Sequence, residues 1–350
     1  MKIIVDAMGG DNAPDVTVWG AALAAKEYGE DILLVGQSEA ITAVLRAHGL
    51  ENTEHLTIMP ASDIVDMHDD PATVLRHKPD SSMAVAFKLL KAGEGDALVS
   101  AGNTGALLTG ATLLVGRVRG VRRATLGVQL PTKKNHGVVI IDTGANAECT
   151  PEYLEQFALM GSAYAETFGG IESPRVGLLS NGTEAHKGNT LVKQAHALLD
   201  VLGQKGLIHF IGNVEARELM SGDIDVVVCD GFTGNVLLKS IEGTASFMMS
   251  LIKKAFLANT MTKLGALLVK SQIGSLKKMM DYREIGATPI LGISRPVFKA
   301  HGASDAVAWA GAIRSAAGYA GCGADLRIAE KLEARKGLDT DGTADSQTVD

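Results

Sequence analysis

The fold class this chain predicts is α/β, a three-layer α/β/α sandwich built around a mainly parallel sheet. Three observations carry that expectation. Short runs rich in Val, Ile and Leu alternate with longer stretches of helical period. Hydrophobic residues make up 46% of the 350, enough apolar surface for a substantial core. No linker-like shift in composition interrupts the body of the chain, so residues 1–330 are expected to form one α/β domain.

The apolar runs predict strands over 2–5, 32–35, 56–59, 97–99, 125–129, 138–141, 175–179, 208–211, 226–229 and 290–293. Helical patterns lie between most of them, over 14–28, 81–91, 151–167 and 189–202, and Pro14 suits a helix start. From about Lys331 the residues turn charged, then small and polar. Such a tail cannot bury enough surface to order itself, so 331–350 is expected to be disordered.

A net charge of -7 and a pI near 5.7 argue against the chain as a whole binding nucleic acid. The three cysteines, Cys149, Cys229 and Cys322, are far apart and odd in number, which suggests neither a disulfide framework nor a zinc site. The start, MKIIVDAMGGD, has too short an apolar run for a signal peptide and reads as a buried strand. No segment is apolar for long enough to span a bilayer. These features together predict a cytoplasmic protein.

One stretch breaks the rhythm. Between Gly243 and Met280 there is no Asp or Glu, yet Lys253, Lys254, Lys263, Lys270, Lys277 and Lys278 sit among Leu264, Leu267, Leu268 and other apolar residues. It reads as an amphipathic helical hairpin over 245–282, turning around Asn259 and Thr260. Either it anchors the protein on anionic lipid, or it packs on the core or a second subunit.

Four strand-like runs end in glycine-bearing polar turns: ALVSAGNTGALL, GVVIIDTGANAE, VGLLSNGTEAHKGN and VVVCDGFTGNVLLK. A further pair, Gly9 and Gly10, follows the first strand and precedes Asp11. In a parallel sheet such turns gather at the carboxyl edge, where helix starts direct free N–H groups at a ligand. Gly102, Asn103, Thr104, Gly105, Asp142, Gly144, Asn146, Asn181, Gly182, Thr233, Gly234 and Asn235 would line an anion or carbonyl cradle there. Any one turn could instead merely cap its helix.

The turn at Ser180 is the richest, because it places Glu184, His186 and Lys187 just before a helix. Lys187 is the leading phosphate-binding cation, since a cation at a helix start is mildly misplaced unless an anion joins it. His301 could donate to an anion, or its turn could serve only to let Ser304 cap the next helix. Asp142 and Asp230 could bind a metal together or simply orient the neighbouring turns. Cys229, in a Val-rich run, reads as a buried hydrophobe rather than a nucleophile. The dinucleotide, P-loop, serine-hydrolase and zinc-peptidase motifs are all absent.

Six ordered blocks carry a family resemblance: VDAMGGDNAP, SAGNTGAL, DTGAN, LLSNGTEAHKGN, DVVVCDGFTGNVLLK and GATPILGISRPVFKAHGASDA. They look like the successive motifs of bacterial phosphate acyltransferases, over residues 1–320 or so. The last block departs from the family's usual wording at Ile285, Ala287, Thr288 and Arg295-Pro296. The resemblance implies a fold related to phosphotransacetylases and to isocitrate and isopropylmalate dehydrogenases. It implies acyl transfer from acyl carrier protein to inorganic phosphate for phospholipid synthesis, without a cofactor. A homodimer, attachment to the inner face of the cell membrane and delivery of acyl phosphate to a downstream glycerol-3-phosphate acyltransferase are implied with it. On that resemblance, phosphate is expected at Asn103, Thr104, Gly105 and Lys187, and carbonyl polarisation at Asn235, with Asp142 and Asp230 holding the turns. Two rivals stay open: a NAD-dependent decarboxylating dehydrogenase and a non-catalytic membrane-surface scaffold.

Overall fold

The computed structural model describes residues 1–134, 136–274 and 287–344. Its described strands are β1 (Lys2–Asp6), β2 (Asp31–Gly36), β3 (Leu56–Pro60), β4 (Ala97–Ser100), β5 (Thr125–Leu130), β6 (Val138–Ile141), β7 (Arg175–Ser180), β8 (His209–Glu215), β9 (Val226–Val228), β10 (Thr288–Leu291) and β11 (Val297–Lys299). The described helices are α1 (Asp15–Tyr28), α2 (Ser38–Ala47), α3 (Val74–His77), α4 (Ser82–Ala92), α5 (Thr104–Gly110), α6 (Pro151–Thr167), α7 (Thr190–Gln204), α8 (Gly231–Phe256), α9 (Thr260–Leu268), α10 (Ala306–Cys322) and α11 (Ala324–Ala344). The strands form one sheet, in the order β3-β2-β1-β4-β11-β10-β5-β6-β9-β7-β8.

Seven of the ten ladders are parallel, which matches the expected class. They fall into two halves, β3 to β11 and β6 to β8, that run in opposite directions because β10 and β5 pair antiparallel between them. Register brings the halves together. Lys299 at the end of β11 pairs with Thr288, while Ile141 at the end of β6 pairs with Gly127, whose neighbour Leu126 pairs with Ile290. The carboxyl ends of both halves therefore reach the same stretch of β10. The turns do not share a single edge, as one parallel sheet would require; they stand on two opposed edges that face each other.

Alternation along the strands sorts side chains to the two faces. Ile3, Val5, Ile32 and Val228 join a core with Val18 of α1, Phe157 of α6, Leu199 of α7 and Trp309 of α10. On the other face, Ile4, Leu33 and Leu98 pack with Phe87 of α4 and Leu107 of α5. There too Val138, Ile140 and Val227 pack with Leu238 of α8. Leu126 belongs to the α4–α5 layer and Leu130 to the α8 layer, so one face carries both layers with the middle of β5 between them.

Each half contains a place where neighbouring strands send their helices to opposite faces. β1 leads to α1 and its neighbour β4 to α5; β7 leads to α7 and its neighbour β9 to α8. Ligand crevices in open α/β sheets form at such switch points.

One expectation about the carboxyl-terminal half changes. The chain from Lys331 continues as helix through Ala344 instead of losing order. Ile328 and Leu332 are buried, Lys331 Nζ donates to Leu207 O at 2.9 Å and pairs with Glu166, and Arg335 pairs with Glu155. Polar composition hid these anchors; residues 345–350 lie outside the described ones. In the expected hairpin, α8 buries nothing beyond Leu238 and α9 buries no residue at all. Asn259 caps α9, its side chain accepting from Thr262 N at 3.0 Å. Lys277, Lys278 and the rest of 275–282 lie outside the described residues.

Candidate active site

A cleft of about 520 Å³ opens over β5 and β10, between the two helical layers. It is lined by Asp11, Thr104, Gly144, Asn235 and His301 among the residues expected from the sequence, and by Lys239, Glu242 and Lys299, which were not. A second crevice of about 460 Å³ lies on the opposite flank of α8, between the ends of β7 and β9. Asn181, Asp230 and Thr233 line it, with Leu154, Leu179, Val192, Val236 and Leu237. α8 is thus a partition, with Asn235, Lys239 and Glu242 on one side and Thr233, Val236 and Ser240 on the other.

The first-half edge of the cleft is built on a buried carboxylate. Ser100 Oγ donates to Asp6 Oδ2 at 2.7 Å, and Gly102 N donates to Ser100 Oγ at 3.1 Å. Burial pushes the Asp6 carboxyl above its ordinary range, against hydrogen bonds from Ser82 and Ser100. A Cβ on Gly9 would stand 2.7 Å from both Asp6 Oδ2 and Gly102 N, so the two turns can touch only through glycine. Asn103 accepts from Ala106 N and donates to the carbonyls of Asp66, Met67 and Asp69. Its side chain caps α5 and clamps that loop.

The second-half edge hangs on Asp142. Its Oδ1 accepts from the backbone N–H groups of Leu126, Gly144 and Ala145, and its Oδ2 from Asn146 N and Asn146 Nδ2, at 2.7 to 3.2 Å. Asp230 accepts from Thr233 N and Oγ1 and caps α8. Both carboxylates orient turns, the alternative to a shared metal; among the described residues there is no cluster of metal ligands. Asn146 is likewise spent on Asp142 and Ala124 O. A Cβ on Gly234 would run into Asp142 O and Cys229 Sγ, so α8 begins in direct contact with this turn. Cys229 is buried, and burial raises its thiol well above the ordinary value, as suits a core residue.

His301 follows β11, and its Nδ1 accepts from Ala303 N at 3.2 Å, which leaves the neutral ring's proton on Nε2. Burial, then the nearby Lys239, lowers its pKa and favours that neutral form. The cap of α10 is Asp305, which accepts from Ala308 N, while Ser304, the cap in one of the two readings of this turn, is buried behind it. Lys299 ends β11 and donates to Ala101 O at 2.7 Å. The signal that could have found it was its place closing a short apolar run two residues before His301.

The turn at Ser180 does not join the cleft. Asn181 Oδ1 accepts from Gly188 N, and Glu184 O accepts from Asn213 Nδ2 and Lys187 N, so this turn is tied to itself and to β8. Lys187 is not among the residues lining the cleft, and the expected pairing of Lys187 with Thr104 and Gly105 is not made within the chain.

The family model for the fatty acid synthesis protein family matches residues 1–326. The chain belongs to that family. Members similar to it include a phosphate acyltransferase of an Exiguobacterium strain, 44% identical over 97% of this chain and 100% of that one. The phosphate acyltransferase of Lysinibacillus sphaericus is 47% identical over 90% of this chain and 93% of its own. Among solved structures, a phosphotransacetylase from Streptococcus pyogenes superposes with a TM-score of 0.61 at 15% identity, covering 91% of this chain and 94% of its own. A 4-hydroxythreonine-4-phosphate dehydrogenase from Klebsiella pneumoniae follows at 0.54 and 14%, covering 91% and 99%. This fatty acid synthesis family member shares their fold.

Proposed function

We propose that this chain is a phosphate acyltransferase that moves a fatty acyl group from an acyl carrier protein thioester to inorganic phosphate. One observation carries the proposal: relatives bearing that name match this chain almost end to end, and in this chain the carboxyl ends of the two half-sheets meet at a cleft. The chemistry asks little beyond such a cleft. A phosphate oxygen attacks the thioester carbonyl, the new C–O bond forms and the C–S bond breaks. Sulfur leaves with the electron pair and takes up the proton phosphate surrenders, giving acyl phosphate and free thiol. A thiol of pKa about 8.5 needs little help in leaving. The cleft's task is to hold phosphate beside the carbonyl and polarise its oxygen. Asn235, packed against Gly144, is our candidate for polarising the carbonyl. Supplying long-chain acyl carrier protein and phosphate should yield acyl phosphate and one thiol per turnover. Turnover of a nicotinamide cofactor instead, or no reaction from folded protein, would overturn the proposal.

We extend the proposal to peripheral membrane attachment through α8 and α9, a homodimer, and hand-over of acyl phosphate to a glycerol-3-phosphate acyltransferase. Support comes from Leu264, Leu267 and Leu268, which are 58%, 68% and 81% exposed beside Lys263 and Lys270. Among the described residues no helix is long and apolar enough to cross a membrane. A protein carrying Leu267→Glu and Leu268→Glu should lose co-sedimentation with anionic liposomes and keep its activity in solution. Unchanged co-sedimentation would sink the membrane assignment.

A further inference from the structure

We infer that Lys299 is the residue that grips the attacking phosphate in the cleft, a role that rests on the acyl transfer proposed above. Among the described residues two ammonium groups line the cleft, Lys239 and Lys299. Lys239 is already committed, its Nζ lying 2.8 Å from Glu242 Oε2. Lys299 makes one hydrogen bond, to Ala101 O at 2.7 Å, and among the described residues it has no ion-pair partner. An ammonium offers three N–H donors, so two are left for a ligand.

Position and surroundings point the same way. Phe298 is buried and Lys299 half-buried, so β11 holds the side chain in place at the meeting point of the two half-sheets. The bond to Ala101 O fixes Nζ beside the turn after β4, and the nearby Ala300 and Gly302 are small enough to leave room for a tetrahedral anion. The charged groups facing this ammonium are Asp6 of β1, Asp11 of the following turn, Lys239 and Glu242 of α8, and His301. Burial outweighs the two aspartates and pulls Lys299 down to about 8, the behaviour of a cation short of a counter-charge. A phosphate dianion would supply one. Lys187, the other candidate, is not among the residues lining this cleft, and Asn181 and Gly188 of its turn line the second crevice.

The test compares the full-length protein with its Lys299→Met and Lys299→Arg variants, using acyl carrier protein thioester and inorganic phosphate. Lys299→Met should raise the phosphate KM roughly 10- to 100-fold, the size of one charge-assisted contact, and leave the thioester KM within about threefold. Lys299→Arg, which keeps the charge, should recover part of the loss. The rise in Tm that phosphate gives the wild type should vanish in Lys299→Met. With phosphate expressed as its dianion, the wild-type KM should be flat below about pH 8 and climb about tenfold per pH unit well above it, as the ammonium is lost; in Lys299→Met it should stay flat.

A Lys299→Met protein with unchanged phosphate KM would overturn the inference. So would equal losses toward both substrates with the phosphate-induced Tm rise intact, the mark of a merely structural lysine. Should Lys299→Met fail to fold, Lys299→Arg and the wild-type pH profile decide, and a phosphate KM indifferent to pH between 7 and 10 overturns the assignment. Wild-type protein that makes no acyl phosphate would count against the activity, while the phosphate-induced Tm rise would still test Lys299.

Discussion

The two switch-point crevices use one topological device for different environments. In the first half, strand ends supply Asp6, Ser100 and Lys299, and the cleft is polar where the halves meet. In the second, Leu178 and Leu179 lead into Ser180, and Leu191, Val192, Val236 and Leu237 make the wall mainly apolar. Backbone topology provides each hollow, and the last one or two residues of each strand set its chemistry.

The comparison would be broken hardest at Asp142, which organises the second-half edge. An amide in place of this carboxylate would turn two donors toward backbone N–H groups and remove the charge they surround, so Asp142→Asn should cost about 3–5 kcal/mol in denaturant unfolding and abolish turnover. A loss below about 1 kcal/mol would mean that the turn holds itself. The smallest effect sharpens the contrast from the apolar side. Among the described residues the buried Ser180 Oγ has no partner, so Ser180→Ala should be neutral or stabilise by up to about 1 kcal/mol and leave the phosphate KM unchanged. A clear loss of stability would reveal a polar role for the second crevice.

Much of this was legible in the sequence, for physical reasons. Buried strands such as IIVD and VVIID need continuous apolar runs, and helix starts at Asn103, Asn189 and Asp230 need short oxygen-bearing side chains. What stayed hidden was relational. Nothing in GVVIIDTGANAE says that its strand runs opposite to ALVSAGNTGALL, because direction is set by the pairing of β10 and β5. Asn103 and Asn146 looked like ligands since the same amide that could hold phosphate also holds a turn. Lys299 looked like any lysine after an apolar pair until β11 placed it at the cleft. Lys331 and Arg335 read as solvated charges and proved to be the bolts of α11.

α8 also has a mechanical meaning. It runs unbroken for 26 residues, about 39 Å at 1.5 Å per residue, with its last buried residue at Leu238. Gly231, Gly234 and Leu238 seat its first turns, so the rod is fixed at one end only. From Leu238 the outer arm to Phe256 is about 27 Å and the inner arm to Gly231 about 10 Å. The seated turns form the wall between the two crevices while the outer arm stands clear of the core, so one helix serves as cleft wall at one end and as open surface at the other.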